Sequence, residues 1–424
     1  MSLSQYQSLL RIIEKTVKIK TMKRIIILLS ISTMYLSACS KEENPTPQNN
    51  VEPTPIVDPV TPSNVRSFMV DPNATNETVA LFYNLRKLSQ TKFAIGQHDA
   101  FNAFYATGGN SDIKKATGHD PAILGSDFMF ITDKDNPSNN WFVQQENKII
   151  QDTKAAYAKG MINIFCWHLR EPYNENSFYA EDMTIEEKNT AFRSILPGGE
   201  NHDWYKTKLD KVAQVFNDLK DSNNKLIPVI FRPFHEFDGN WFWWGAAYCS
   251  PEEYKTAFQF TVDYLKNTKN VHNVLYSFSP DNTYNNATGY LSRYPGDNYV
   301  DVLGMDNYGD FNNQGTNGSN LANNKLKYLS DLAIEKKKIA ALTETGYRVT
   351  NSNPPIANWF STYLYDAITK NNVQIGFVMF WNNGNGGYYV PTPGTSNITD
   401  FQSFAVKPKS VLLNTLPEMY VLPN

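Results

Sequence analysis

The 424-residue sequence predicts an α/β fold of the (β/α)8, or TIM, barrel class, built as one domain. Three observations predict it. Eight short apolar runs recur along the chain, segments of helical period separate them, and nearly every run is followed at once by a polar or aromatic side chain. The runs are residues 93–95, 122–124, 161–165, 227–231, 274–278, 302–305, 339–342 and 376–380. Near-continuous apolar runs are what strands buried on both faces look like. Segment 203–220 carries Tyr205, Leu209, Val212, Phe216 and Leu219 on one stripe, the pattern of an amphipathic helix. Segments 145–159, 252–269, 326–337 and 356–369 read the same way, and 78–88 supplies a helix ahead of the first strand. Alternation of strand and helix indicates a parallel sheet with crossovers, and eight strands indicate a closed barrel. An open doubly wound sheet is the alternative, but no GxGxxG follows an early strand.

The N-terminus reads as an address and a tether. Met22, Lys23 and Arg24 precede the apolar run 25–36, and Leu36-Ser37-Ala38-Cys39 follows. The run is too short to span a bilayer but suits a signal peptide. A small-residue site ending in cysteine resembles the bacterial lipoprotein signal, which implies lipidation at Cys39 and an outer-membrane location, on either the cell surface or the periplasmic face. An ordinary signal peptide with an incidental cysteine is the other reading. Residues 1–21 fit no part of a signal, so Met22 is the expected start. Acidic residues in Ser40-Lys41-Glu42-Glu43 resemble the surface-export signal of Bacteroides-type lipoproteins. Residues 40–65 contain Pro45, Pro47, Pro53, Pro55, Pro59 and Pro62 and read as an extended linker outside the core. The folded domain is then 66–424, roughly 360 residues, within the range of one barrel with insertions.

Composition narrows the function. Net charge is −3 with both signs interspersed, and the only basic cluster is Lys336–Lys338, so nucleic acid is not an expected partner. Nothing calls for a partner subunit, and a monomer is expected. Cys166 and Cys249 remain after Cys39, and no CxxC or Cys/His cluster suggests a metal. Aromatics make up 13% of residues, with eight Trp, many in loop-like segments where they can serve as platforms for sugar rings.

Chemistry in such barrels lies at the C-terminal strand ends. In chain order these carry Gln97 and His98, Asp127, Trp167 and His168, then Arg232, His235 and Glu236, Ser279 and Asp281, Asp306 and Tyr308, Glu344, and finally Trp381 and Asn382. Glu236 and Glu344 end strands four and seven, which face each other across part of the mouth. Glycoside cleavage needs two such carboxyl groups, about 5–5.5 Å apart for retention and about 6.5–9.5 Å for inversion. The acid of the pair needs a raised pKa, and Phe234, Phe237 and Trp241 are apolar neighbours of Glu236. The competing reading pairs both Glu in salt bridges, for instance with Arg232. His235-Glu236 also begins an HExxH pattern, but Gly239 stands where the second His belongs and Pro233 opposes a helix. In the run 241–244, Trp241 reads as a binding platform and Trp243 and Trp244 as partly core; Trp381 reads as a stacking floor. The long segment 169–202 and the stretch Gly384–Tyr389 read as cleft walls.

The motif Arg232-Pro-Phe-His-Glu236-Phe-Asp-Gly-Asn-Trp241-Phe-Trp-Trp-Gly245, with Thr343-Glu344-Thr-Gly346, resembles glycoside hydrolase family 26, the β-mannanase family. Trp167-His168, Asp306-Asn-Tyr308 and Trp381 fall at matching strand ends, and the resemblance spans roughly residues 66–420. It implies a retaining double displacement on a β-mannan, with Glu344 as nucleophile and Glu236 as acid, then base. His235 would orient Glu236 and Tyr308 would hydrogen-bond Glu344. His168, Trp241 and Trp381 would line the cleavage subsite, with Arg232, His98 and Asn382 as further substrate contacts. No metal or organic cofactor is implied. Some members carry Arg after the tryptophan corresponding to Trp381; Asn382 stands there, which leaves the neighbouring subsite open. β-1,3-Xylan or mixed-linkage glucan is the alternative substrate. A non-catalytic glycan-binding lipoprotein is the alternative class.

Overall fold

The computed structural model describes residues 58–101, 110–134, 139–384 and 386–423. The segment expected to be a signal, Cys39 and the expected linker up to residue 57 lie outside the described residues. Eight parallel strands form the barrel: β1 (Phe93–His98), β2 (Ile123–Asp127), β3 (Ile162–Cys166), β4 (Val229–Arg232), β5 (Val274–Phe278), β6 (Val302–Asn307), β7 (Ile339–Thr345) and β8 (Phe377–Phe380). Each pairs with the next, and β1 pairs with both β2 and β8, closing the sheet. A short β9 (Ser410–Val411) pairs with Phe93 and Ala94, below the point where β2 takes over that edge. The barrel reading therefore holds, and the open sheet does not.

Strand side chains alternate between two cores. Ala94, Ile123, Ile162, Ile164, Ile230, Leu275, Val302, Ile339, Ala341, Phe377 and Met379 form an inner cluster with the helix Asn76–Ser89, which closes the N-terminal end. Leu303, Met305, Leu342, Val378 and Phe380 face outward into the helical layer. Continuing the inner alternation upward along β1, β2, β3, β4 and β6 reaches His98, Asp127, Cys166, Arg232 and Asp306. The floor of the site is thus a direct consequence of strand parity.

The helix His202–Asp218 buries Tyr205, Leu209, Val212 and Phe216 as its stripe predicts. The helix Gly315–Lys336 begins eleven residues before the predicted 326, because its first turns bury Gly318, Ser319, Ala322 and Asn323 rather than large apolar groups. Segment 169–202 is not all loop: Ile185–Ser194 is helical, started by a Thr184/Glu187 capping box. The linker boundary also moves. Val60 and Val65 are buried in the inner core, and Asp58 pairs with Arg86 at 3.0 Å, so the compact unit starts at Asp58 rather than 66. Apolar Val60 and Val65 have somewhere to go, which a purely polar proline-rich stretch would not.

Candidate active site

The chain leaves β4 in a tight turn rather than a helix. Phe234 and Glu236 both have φ near 51°, a costly left-handed conformation for non-glycine residues. Aromatic donors hold it in place. Tyr254 Oη donates to the Phe234 carbonyl at 3.0 Å, and Trp244 Nε1 donates to the His235 carbonyl at 2.6 Å. The Glu236 amide donates to the Ser279 carbonyl at 2.9 Å. Trp243 and Trp244 are fully buried, so these two residues are wholly core. Gly239 leaves room for the Trp241 ring: a Cβ there would fall 2.2 Å from it, and the ring would have to move.

Glu236 emerges half-buried, and Trp241 Nε1 donates to its Oε2 at 2.7 Å. Burial is the main cause that pushes the Glu236 carboxyl well above the usual range, with Glu344, Asp306 and Asp281 adding negative charge nearby; the Trp241 N–H opposes them. This is an environment that favours the protonated form of a carboxylic acid. Trp241 itself remains 39% exposed, with surface left to meet a ligand.

Glu344 sits opposite, at the end of β7. The register between β6 and β7 shifts here, with Met305 opposite Leu342 but Asp306 opposite Glu344, so Thr343 is an extra residue. The bulge re-aims the strand end, and both Thr343 and Glu344 reach the site. Tyr308 Oη donates to Glu344 Oε2 at 3.0 Å, as the resemblance implied. Arg232 Nη2 donates to Glu344 Oε1. Burial first, then the Glu344 charge, raises the Tyr308 phenol, which keeps its donor proton.

Arg232 is fully buried, with Nη1 bonded to Asp306 at 2.8 and 2.9 Å and Thr343 Oγ1 donating to Asp306 at 2.6 Å. It lies beneath the site and cannot touch a ligand, which corrects its assignment as a substrate contact. The salt-bridge reading is half right: Arg232 does pair with Glu344, and the pairing fixes that carboxylate, whereas Glu236 has no cation against it among the described residues. Donor atoms of His235, Asp306 and Glu344 lie within 4.8 Å of one another. The Arg232 guanidinium already supplies positive charge to two of the three, which disfavours a metal there.

Histidines form the remaining wall. His168 Nδ1 lies 2.6 Å from Asp127 Oδ2, its Nε2 lies 3.2 Å from His235 Nε2, and His235 Nε2 lies 4.0 Å from Glu344 Oε1. His235 therefore faces the nucleophile candidate rather than bonding Glu236, a correction to its expected role. Trp381 is half-buried, with its ring centroid 4.4 Å from that of His98 and 5.8 Å from that of His168. His98 is buried behind it, so of the two it is Trp381 that keeps exposed surface. Asn382 turns away and donates to Asp99 Oδ2 at 2.9 Å. Phe178 and Phe242 complete the shell around His168, with ring centroids at 4.8 and 5.3 Å. The backbones at Phe178–Ala180 and Trp241–Trp243 bond to each other, so segment 169–202 does abut the aromatic wall. Asp127, Asp306 and Thr343 gained no role from the sequence, although inward strand parity would have selected the two aspartates.

A cavity of about 280 Å³ adjoins Tyr308, lined also by Gly346, Tyr347, Arg348, Asn353 and Tyr389. A larger one of about 820 Å³ lies on the barrel flank beside Trp204 and Lys208, away from both carboxylates. Its charges pair among themselves, as in Lys208–Glu175 and Lys211–Glu146. Cys166 and Cys249 are both free and buried.

The model of glycosyl hydrolase family 26 matches residues 70–366. A mannan endo-1,4-beta-mannosidase of Bifidobacterium adolescentis is 33% identical over 360 residues, covering 81% of this chain and 35% of that protein. One from Thermothelomyces thermophilus is 28% identical over 284 residues, covering 64% of this chain and 51% of that protein. The chain thus spans about a third to a half of the length of these relatives. Among solved structures, GH26C from Muricauda sp. is 56% identical with a TM-score of 0.85, covering 86% of this chain and 99% of that one. A GH26 beta-mannanase from Bacteroides ovatus is 32% identical with a TM-score of 0.72, covering 82% and 98%.

Proposed function

The chain belongs to glycosyl hydrolase family 26, and from that premise we propose that it hydrolyses internal β-1,4-mannosidic bonds in mannan, glucomannan or galactomannan with retention. The observation that carries the proposal is the unlike treatment of two carboxyl groups at facing strand ends. Glu344 receives donors from Arg232 and Tyr308 and acts as nucleophile at the anomeric carbon. Glu236, raised by burial, protonates the leaving oxygen and then takes a proton from the water that releases the glycosyl-enzyme. Trp381 forms the floor under the sugar being cleaved, and Trp241 stacks on the adjoining unit. The names of the Bifidobacterium and Thermothelomyces relatives support mannan as the substrate.

The test is the product profile from linear β-1,4-mannan, glucomannan, β-1,3-xylan and mixed-linkage glucan. Short manno-oligosaccharides are expected, and Glu344→Ala abolishes their release. Cleavage of xylan or glucan alone would overturn the substrate and keep the two Glu. No cleavage of any of the four would leave a glycan-binding protein. Location at the bacterial outer membrane through lipidated Cys39 is also proposed, on the sequence pattern of residues 22–39. Loss of labelled-lipid incorporation in Cys39→Ser is the expected result; persistence of the label would overturn it.

A further inference from the structure

The geometry points to Asp127 as a positioning residue that sets the tautomers of two buried imidazoles and, through them, the placement of Glu344; this rests on the hydrolase reading above. Asp127 ends β2 and is anchored on one side. Its Oδ1 accepts from the Met129 amide at 2.8 Å and from the His168 amide at 3.1 Å. Its Oδ2 faces His168 Nδ1 at 2.6 Å. Burial alone would raise this carboxyl, but His168 and the backbone amides bring it below its ordinary range, so it is a carboxylate with acceptors only.

With one proton on each imidazole, the chain of hydrogen bonds has one assignment. His168 then carries that proton on Nδ1, facing the Asp127 carboxylate, which leaves a lone pair at Nε2. His235 Nε2, 3.2 Å away, must donate into it. The same His235 edge lies 4.0 Å from Glu344 Oε1, where an N–H is favourable and a lone pair is not. His235 Nδ1 is then unprotonated, and that buried atom has no hydrogen-bond partner among the described residues. Burial is the main cause that holds the His235 imidazole well below its ordinary range. Asp127 thus determines which proton faces the carboxylate that attacks the sugar, two imidazoles away.

The anchoring makes Asp127→Asn a sharp test. Two backbone N–H groups require an oxygen at the Oδ1 position, so the amide nitrogen must take the Oδ2 position and donate to His168 Nδ1. That forces the proton of His168 onto Nε2, inverts His235, and turns a lone pair toward Glu344. Tautomer inversion at a proton-transferring histidine costs on the order of 10⁴ in kcat. Neither imidazole here carries the transferred proton, so a fall of about 10- to 100-fold in kcat on mannan is expected, with KM and Tm little changed. Nitrogen-15 spectra of the histidine-labelled protein should show Nδ1–H at His168 and Nε2–H at His235, both inverted in Asp127→Asn. Asp127→Ala lets His168 choose its tautomer and should keep more kcat than the isosteric Asp127→Asn. Wild-type kcat in Asp127→Asn, unchanged tautomers, or a lower kcat in Asp127→Ala would each overturn the proposal. The spectra need no substrate, so a wild-type chain that cleaves none of the four glycans would refute the hydrolase reading while the tautomer result stood on its own.

Discussion

At the level of single residues, the proposed acid is tuned by two neighbours acting in opposite directions. Trp241 donates to Glu236 and favours its charged form, whereas the Asp281 charge disfavours it. The proposed mechanism requires protonated Glu236, so kcat/KM is expected to fall as pH rises through its pKa. Trp241→Phe should move that alkaline limb to higher pH, and Asp281→Asn should move it to lower pH. An unmoved limb in both would mean that another group sets it. Asp281 also bears on stability. Burial, reinforced by Asp238, raises it to about 7. The folded state therefore holds a proton that the unfolded chain releases near the ordinary pKa of about 3.9. Stability from this proton is full below the unfolded value and is lost as pH rises through 7. Asp281→Asn should raise Tm at pH 8 and leave it nearly unchanged at pH 4; an equal change at both would show that packing, not charge, is responsible.

Among the elements, the helix Pro251–Asp263 matters most for the site, because it carries the Tyr254 hydroxyl that grips the Glu236 turn. Ser250 caps it, accepting from the Glu253 amide at 3.2 Å, while Glu253 Oε2 accepts from the Ser250 amide at 2.8 Å. Arg193 Nε, from the inserted helix after β3, donates to the other Glu253 oxygen at 2.6 Å, tying the insertion to this helix start. Ser250→Ala should cost about 1 kcal/mol, read as a lower urea midpoint at unchanged slope. An unchanged midpoint would show that packing of Tyr254 and Phe258 alone places the helix.

For the molecule as a whole, the N-terminal extension is part of the barrel's closure. Arg86 is buried, with Nη1 donating to the carbonyls of Ala333 and Lys338, and Asp58 supplies its carboxylate. Gln90 holds the second Asp58 oxygen at 2.6 Å. A chain beginning at residue 66 would leave that guanidinium unpaired at a cost of about 3 kcal/mol or more. It should melt several degrees below a chain beginning at Asp58, with the two retaining the same kcat if both fold. Equal melting temperatures would mean that Asp58, Val60 and Val65 contribute nothing to closure.

Strand number, order and parity follow from local pattern, so the sequence by itself determined the barrel and the strand ends at which Glu236, Tyr308, Glu344, Trp241 and Trp381 gather. Apolar runs and stripes reflect burial that any closed parallel barrel imposes, and the family motif marks the carboxyl pair. The early turns of Gly315–Lys336 escaped this reading because small polar residues pack there without a hydrophobic period. Only the tertiary structure decided that Arg232 lies below the site, that His235 faces Glu344 rather than Glu236, that Asn382 turns to Asp99, and that Asp58, Val60 and Val65 belong to the domain. Each of these depends on partners between 28 and 283 positions away, brought within a few ångströms by barrel closure and by a one-residue shift at β7, distances that no local pattern encodes.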